Sequence, residues 1–381
     1  MRFERFQVYE VVVPARSDIV ADAFLKAGDE APPSWPQVPI YLVQGETSDG
    51  VSAVGESARG DSEESVVKTL RELLSRDLSS FAPASAWGAA HLANGLPTPS
   101  ILPSWSNADG RSYALLESLW FDAVGKAAGV PACQLLGGAV RDRVEVDFWA
   151  NKPDTKALAS LVKEACELGL RGIKLKSDAV GGTALAVAEV AADAPKGFHF
   201  TIDPMCSWRT FRESRHLFER LVKTGFDIRI EDPFSHDSIS EWRRARAAFP
   251  EITFAWHARD EATLRTIVLE DVADVVNLAM SGVCDFMSSA PLVEFSGRDF
   301  WEGTSLELGV QQHLRLHAAA AARRCVLPCD LQGAWVRSHS LVSAPMAYQN
   351  GCALVPTTPG IGVELDRSAL DSFLVREFEI R

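Results

Sequence analysis

Lys176 closes the run GIKLK, Asp203 the run FHFTID, Glu231 the run FDIRIE and His257 the run ITFAWH. Successive members of this series stand 27, 28 and 26 residues apart. That is about the length of one strand plus a crossover helix and its loops. Parallel strands in a barrel point the same way, so their C-terminal ends meet around one mouth. The series therefore predicts an ammonium, two carboxylates and an imidazole converging on a single site. Converging charge is costly unless a metal ion or a substrate compensates it, and the pattern points to an enzyme. Lys174 joins the series, because alternate strand residues face the same side. Read alone, K-x-K is a solvated strand end, and either acid alone would be a helix cap or a structural ion pair. Their common register favours the chemical reading.

The elements that must position these residues follow from the same rhythm. From about residue 143 short apolar runs alternate with helical patterns: VEVDFW, helix 155–168, GIKLK, helix 181–193, HFTID, helix 208–224, DIRIE, helix 239–248, TFAWH, helix 261–270 and DVVNLA. Such alternation means a parallel sheet. Counting on through 299–304 and 325–330 gives eight strands, an α/β chain with a (β/α)8 TIM-type barrel. Before it, 3–13, 38–44 and 51–56 read as antiparallel strands, and 63–78 and 112–129 as helices, the second ending at Gly129 with Pro131 beyond. Pro14 to Pro39, with Trp35, is a loop of the length that is often functional. The tail, ALVPTTPGIGVELD and FLVREFEI, is expected to return to the N-terminal part.

At 381 residues and 47% apolar, the chain can bury a barrel and a second domain. A formal net charge of -13 argues against nucleic acid or an anionic membrane as partner. Seven cysteines, odd in number and without C-x-x-C spacing, suit reduced thiols and not a disulfide framework or zinc site. The opening MRFERFQVYEVVVP alternates like a strand, not a signal peptide, and no apolar run approaches the roughly 20 residues of a membrane span. A cytoplasmic, soluble protein is expected.

The segment SYALLESLWFDAVGKAAGVPACQLLGG (112–138) resembles the helix and turn that lead into the barrel of the enolase superfamily, in its mandelate racemase and muconate lactonizing enzyme branch. The resemblance continues in order through Lys174 and Lys176, I-D-P at 202–204, I-E-D-P at 230–233 and P-G-I-G-V-E at 359–364. It implies an N-terminal α+β capping domain (1–138), a catalytic barrel (139–354) and a C-terminal segment (355–381) that completes the cap. It also implies that cap loops near 14–36 and 47–61 help choose a small carboxylate substrate. A homo-oligomer is expected. The metal site at the ends of the third, fourth and fifth strands, here Asp203, Glu231 and His257, would hold a divalent ion, Mg²⁺ first.

The implied reaction removes the proton alpha to a carboxylate, which leaves two negative charges on an enediolate. A divalent cation and an ammonium can hold those oxygens while a neutral lysine takes the proton. Lys176 is assigned as the base and Lys174 as its electrostatic partner. The chain departs from the family pattern at the third ligand, where His257 replaces a carboxylate. Imidazole suits Mn²⁺, Zn²⁺ or Ni²⁺ better than Mg²⁺; alternatively His257 is an acid catalyst, or packs behind the ligands. Ala279 stands where relatives carry a second lysine, Gly303 near a catalytic histidine of others, and Met205 where many have asparagine. Candidates for the missing acid or base are His257, Glu302 and Asp330, with His257 favoured over Glu302 and Asp330 also readable as a cap. Glu307 reads as structural; Trp149, Asn151 and Lys152 are candidates for substrate contact. The reading is dehydration of a hydroxy or sugar acid to a 2-keto acid by a hydro-lyase. The alternatives are racemization or epimerization, or a diverged relative that binds an acid without turnover.

Overall fold

Alternating apolar residues near the N-terminus build an antiparallel sheet from β1 (Phe3–Val11), β2 (Ile40–Thr47) and β3 (Ser52–Glu56), with the strand Leu374–Ile380 on the free edge of β1. The computed structural model describes residues 1–19, 38–79, 110–280 and 282–381. Most of the loop expected between residues 14 and 39, Trp35 included, lies outside the described residues. Two helices cover one face of this sheet, α1 (Glu63–Leu74) and α2 (Tyr113–Ala128). Ser62 starts α1 by accepting from the Ser65 N–H. Val66, Leu70 and Leu73 then fall on one stripe and pack against Phe6, Val8 and Val43. α2 stops at Gly129, whose φ of 70° is left-handed.

The strand–helix rhythm gives a curled parallel sheet of seven strands. They are β4 (Phe148–Asn151), β5 (Gly172–Lys176), β6 (His199–Asp203), β7 (Asp227–Glu231), β8 (Thr253–Ala258), β9 (Val275–Leu278) and β10 (Phe300–Glu302), adjacent in chain order. Residues on the helix-facing side, such as Ile173, Phe200, Ile230 and Val276, are buried in the main core. VEVDFW is not one strand. Arg143–Glu145 pairs instead with Cys352–Leu354 in a small antiparallel sheet. Asp147 lies between the two strands; its carboxylate is 2.5 Å from His199 Nε2 and its N–H donates to the Cys329 carbonyl. Residues 325–330 form no regular strand; they make isolated parallel bridges, Phe300 with Cys325 and Gly303 with Asp330 on one side, Val146 with Cys329 on the other. Pro328 has no N–H to give a continuous ladder. No helix among the described residues is long and apolar enough to cross a membrane.

The antiparallel sheet and its helices meet the helices of the curled parallel sheet through two buried carboxylates. Glu56 accepts from the Leu308 and Gln311 N–H groups at 2.5 and 2.9 Å, at the start of the helix Gly309–Ala321. Glu117 does the same for Val283 and Cys284 at 2.7 and 3.3 Å, at the start of the helix Val283–Phe295. A carboxylate there meets the positive end of the helix and occupies N–H groups that have no partner within it. Glu56→Ala should therefore lower stability by about 2 kcal/mol or more. Urea unfolding checks this, and an unchanged midpoint would mean the contact holds nothing together.

Candidate active site

Parallel register brings the end of β5 beside the end of β6, with Lys176 opposite Asp203. Lys176 Nζ bonds to Asp203 Oδ2. Burial works to raise the Asp203 carboxyl, but the charges of Lys176 and Lys174 overcome it and hold it at about 2. Lys174 lies two residues deeper and is 1% exposed. Its ammonium stands 2.7 Å from Glu231 Oε2 and 2.5 Å from Asp330 Oδ2. Burial opposes that charge, yet Asp330 and Glu231 more than offset it, so Lys174 is held protonated well above the usual lysine range. Asp330, expected as a cap or an acid, is thus the partner that clamps Lys174.

Glu231 ends β7 and is fully buried. Its Oε1 accepts from Asn277 Nδ2 at 2.9 Å and lies 3.7 Å from His257 Nδ1. Burial pushes the carboxyl up to about 8. Burial also pushes His257 down to about 4, so the ring is neutral near pH 7 and offers a lone pair, not a proton. That state suits His257 as a ligand better than as an acid. Glu231 Oε2 completes no hydrogen bond despite its ion pair with Lys174. Two carboxylates and a neutral imidazole are donors of the kind a divalent cation takes, and the imidazole admits Mn²⁺ or Zn²⁺ beside Mg²⁺, although their ligand atoms do not all lie within 4.8 Å of one another.

Lys176, Asp203 and His257 open on a cavity of about 300 Å³ whose wall also includes Arg259, while Lys174, Glu231 and Asp330 lie behind that wall. Ala58 and Arg59 reach it from the 47–61 loop of the cap; residues 20–36 of the other proposed substrate loop are outside the described residues. Glu302 does not line it. It is fully buried, its Oε1 takes a bond from Arg315 Nη1 at 3.0 Å, and burial lifts it to about 8 against the pull of Arg315. Glu307 does line the cavity and pairs with Arg315 Nε at 3.1 Å. At the ends of β9 and β10 the wall is Ala279 and Gly303. A Cβ at Gly303 would sit 2.2 Å from Asn277 Oδ1 and 2.7 Å from Ala279 Cβ, so no side chain fits there. Trp149, Asn151 and Lys152 are absent from the wall; Trp149 packs in the core and both amide atoms of Asn151 are buried without partners.

Sequence reasoning passed over four residues of this region. Asp232 Oδ1 accepts from the His257 N–H at 3.0 Å and lies 2.8 Å from His236 Nε2, which orients the segment carrying the imidazole. Cys206 and Arg259 are on the wall. The I-E-D-P run contained a signal for Asp232, since the carboxylate beside Glu231 was visible; Cys206 and His236 carry none at the level of spacing.

Residues 157–369 match the family described as enolase C-terminal domain-like. Muconate cycloisomerase 1 of Pseudomonas putida is 26% identical over 366 residues, covering 88% of this chain and 91% of that protein. A probable glucarate dehydratase of Streptomyces coelicolor is 25% identical over 392 residues, covering 90% of this chain and 86% of that protein. The crystal structure of N-succinyl Arg/Lys racemase from Bacillus cereus superposes with a TM-score of 0.76 at 18% identity, each chain covered fully.

Proposed function

The chain belongs to the enolase superfamily, in the mandelate racemase and muconate lactonizing enzyme branch, and on that premise we propose that it dehydrates a hydroxy or sugar acid to a 2-keto acid. Abstraction of a proton alpha to a carboxylate is the chemistry common to its relatives. The curled sheet supports a closed eight-stranded barrel with 325–330 as its last stave, because that segment bridges both β10 and the Val146 side. Lys176, on the cavity wall, takes the α-proton once its own ammonium proton has passed to solvent: the C–H bond breaks, an N–H bond forms at the neutral Nζ, and the electron pair passes into the enediolate. Lys174 stays charged behind it, fixed by Glu231 and Asp330. A divalent ion held by Asp203, Glu231 and His257 would supply the charge that stabilises the enediolate oxygens. Collapse of the enediolate expels the β-hydroxyl, which leaves as water after taking a proton. The Lys176 ammonium formed in the first step can return that proton, so a single lysine serves both steps. The enol that remains loses its hydroxyl proton and gains one at the β-carbon to become the 2-keto acid.

The observation that carries this reading is the Ala279–Gly303 wall, where no second base stands. Racemization needs a group on the opposite face of the substrate, and it is the second reading because the relatives include a racemase as well as a dehydratase. Turnover of a sugar-acid library in D₂O, followed by NMR, separates the possibilities. Dehydration should give 2-keto acid and deuterium at one configuration only. Deuterium in both enantiomers without keto acid would make the protein a racemase, and no exchange with any bound acid would make it a binder.

A further inference from the structure

The turn after β6 and the segment after β7 bring together three donors that the proposed reaction does not use. Cys206 is drawn to the β7 side by its own N–H, which donates to the Asp232 carbonyl at 2.7 Å. Asp232 is nearly fully buried, and its Oδ1 lies 2.8 Å from His236 Nε2. The His236 ring is fixed by stacking on Trp256, with centroids 4.0 Å apart and planes 17° from parallel. One thiol, one carboxylate and one imidazole therefore offer ligand atoms that all lie within 4.8 Å of one another. Two of the three residues, Cys206 and Asp232, also line the cavity. A cation among them would keep its remaining positions open to the cavity.

We propose that Cys206, Asp232 and His236 form a second metal site, distinct from the Asp203, Glu231 and His257 set, that takes a borderline-soft divalent ion such as Zn²⁺ or Co²⁺. Sulfur sets this choice: thiolate and imidazole select zinc and its neighbours over Mg²⁺, which demands oxygen. Three protein ligands with an open position are the arrangement of zinc sites that bind water or substrate. Binding breaks the S–H bond of Cys206 and releases its proton to solvent. Counting cysteine spacings misses the site, because its ligands come from two different loops and include only one thiol. An ion here would add positive charge to the cavity wall beside Arg259, where it can hold an oxygen of the substrate away from the reacting carbon. The site rests on its own donors and does not require the dehydration reading.

Full-length protein, stripped with chelator, would be titrated with Co²⁺ and followed by absorption and calorimetry. The wild type should show a thiolate-to-cobalt charge-transfer band in the near ultraviolet and bind a second equivalent of Co²⁺ that Mg²⁺ does not displace. Cys206→Ser should remove the band, and His236→Asn should weaken that equivalent roughly tenfold or more. Asp203→Asn should keep the band while losing the other equivalent. Absence of the band in saturated wild type, or its persistence undiminished in Cys206→Ser, overturns the proposal, as does loss of the band in Asp203→Asn. Failure of every acid to exchange its α-proton would defeat the dehydration reading and leave the band where it is.

Discussion

Lys176→Ala is expected to stop turnover and solvent-deuterium exchange at the α-carbon together, by roughly a thousandfold or more, while the circular dichroism of the fold is unchanged. Lys176 is on the cavity wall and its ammonium bonds to Asp203, so its removal leaves a single carboxylate to find water or a cation. Lys174→Met should behave differently. That ammonium is buried between Glu231 and Asp330, and its loss strands two carboxylates, at about 3–5 kcal/mol of stability. A lysine that matters for chemistry and one that matters for holding charge thus separate by their unfolding curves. Exchange persisting in Lys176→Ala at the wild-type rate would move the base elsewhere, first to His257.

The second large effect is on metal affinity. Asp203→Asn and Glu231→Gln should each lower divalent affinity on the order of a hundredfold or more, because an amide replaces neither the charge nor the second oxygen. His257→Glu should shift preference toward Mg²⁺, since oxygen then replaces nitrogen. Calorimetric titration of the stripped proteins reads both. Unchanged affinity in the two carboxylate variants would sink the assignment, and an unchanged metal ranking would remove His257 from the ligand set.

The series Lys176, Asp203, Glu231, His257 was legible because each residue ends a strand and the strands share one period and one direction. What sequence hid was partnership across the curl of the sheet. Lys174 and Asp330 are 156 residues apart, on segments that meet only because the sheet bends round. Asp330 alone reads as a cap. Glu302 read as an available acid because its nearness to a strand end was visible and its burial against Arg315 was not. The first strand reads too long for a related reason: VEVDFW alternates like one strand, and the contacts that hold Asp147, from His199 and Cys329, come from distant segments. Local pattern fixes elements; the contacts that set charge are mostly long-range.

The sheet of the cap is finished by the strand Leu374–Ile380, and Gln7 bonds Glu377 across 370 residues of sequence. On a ribosome adding ~5–20 residues per second, β1 waits on the order of twenty seconds to a minute for that neighbour. During this interval one edge of β1 offers unpaired N–H and C=O groups, a template for the wrong strand. The seven parallel strands emerge in the meantime, each beside the one before it, and can pair as they appear. The mouth carrying Lys176, Asp203 and Glu231 is therefore assembled before its cover is complete, and a chaperone that shields an open strand edge should raise the yield of active protein more than one that only slows aggregation of finished chains.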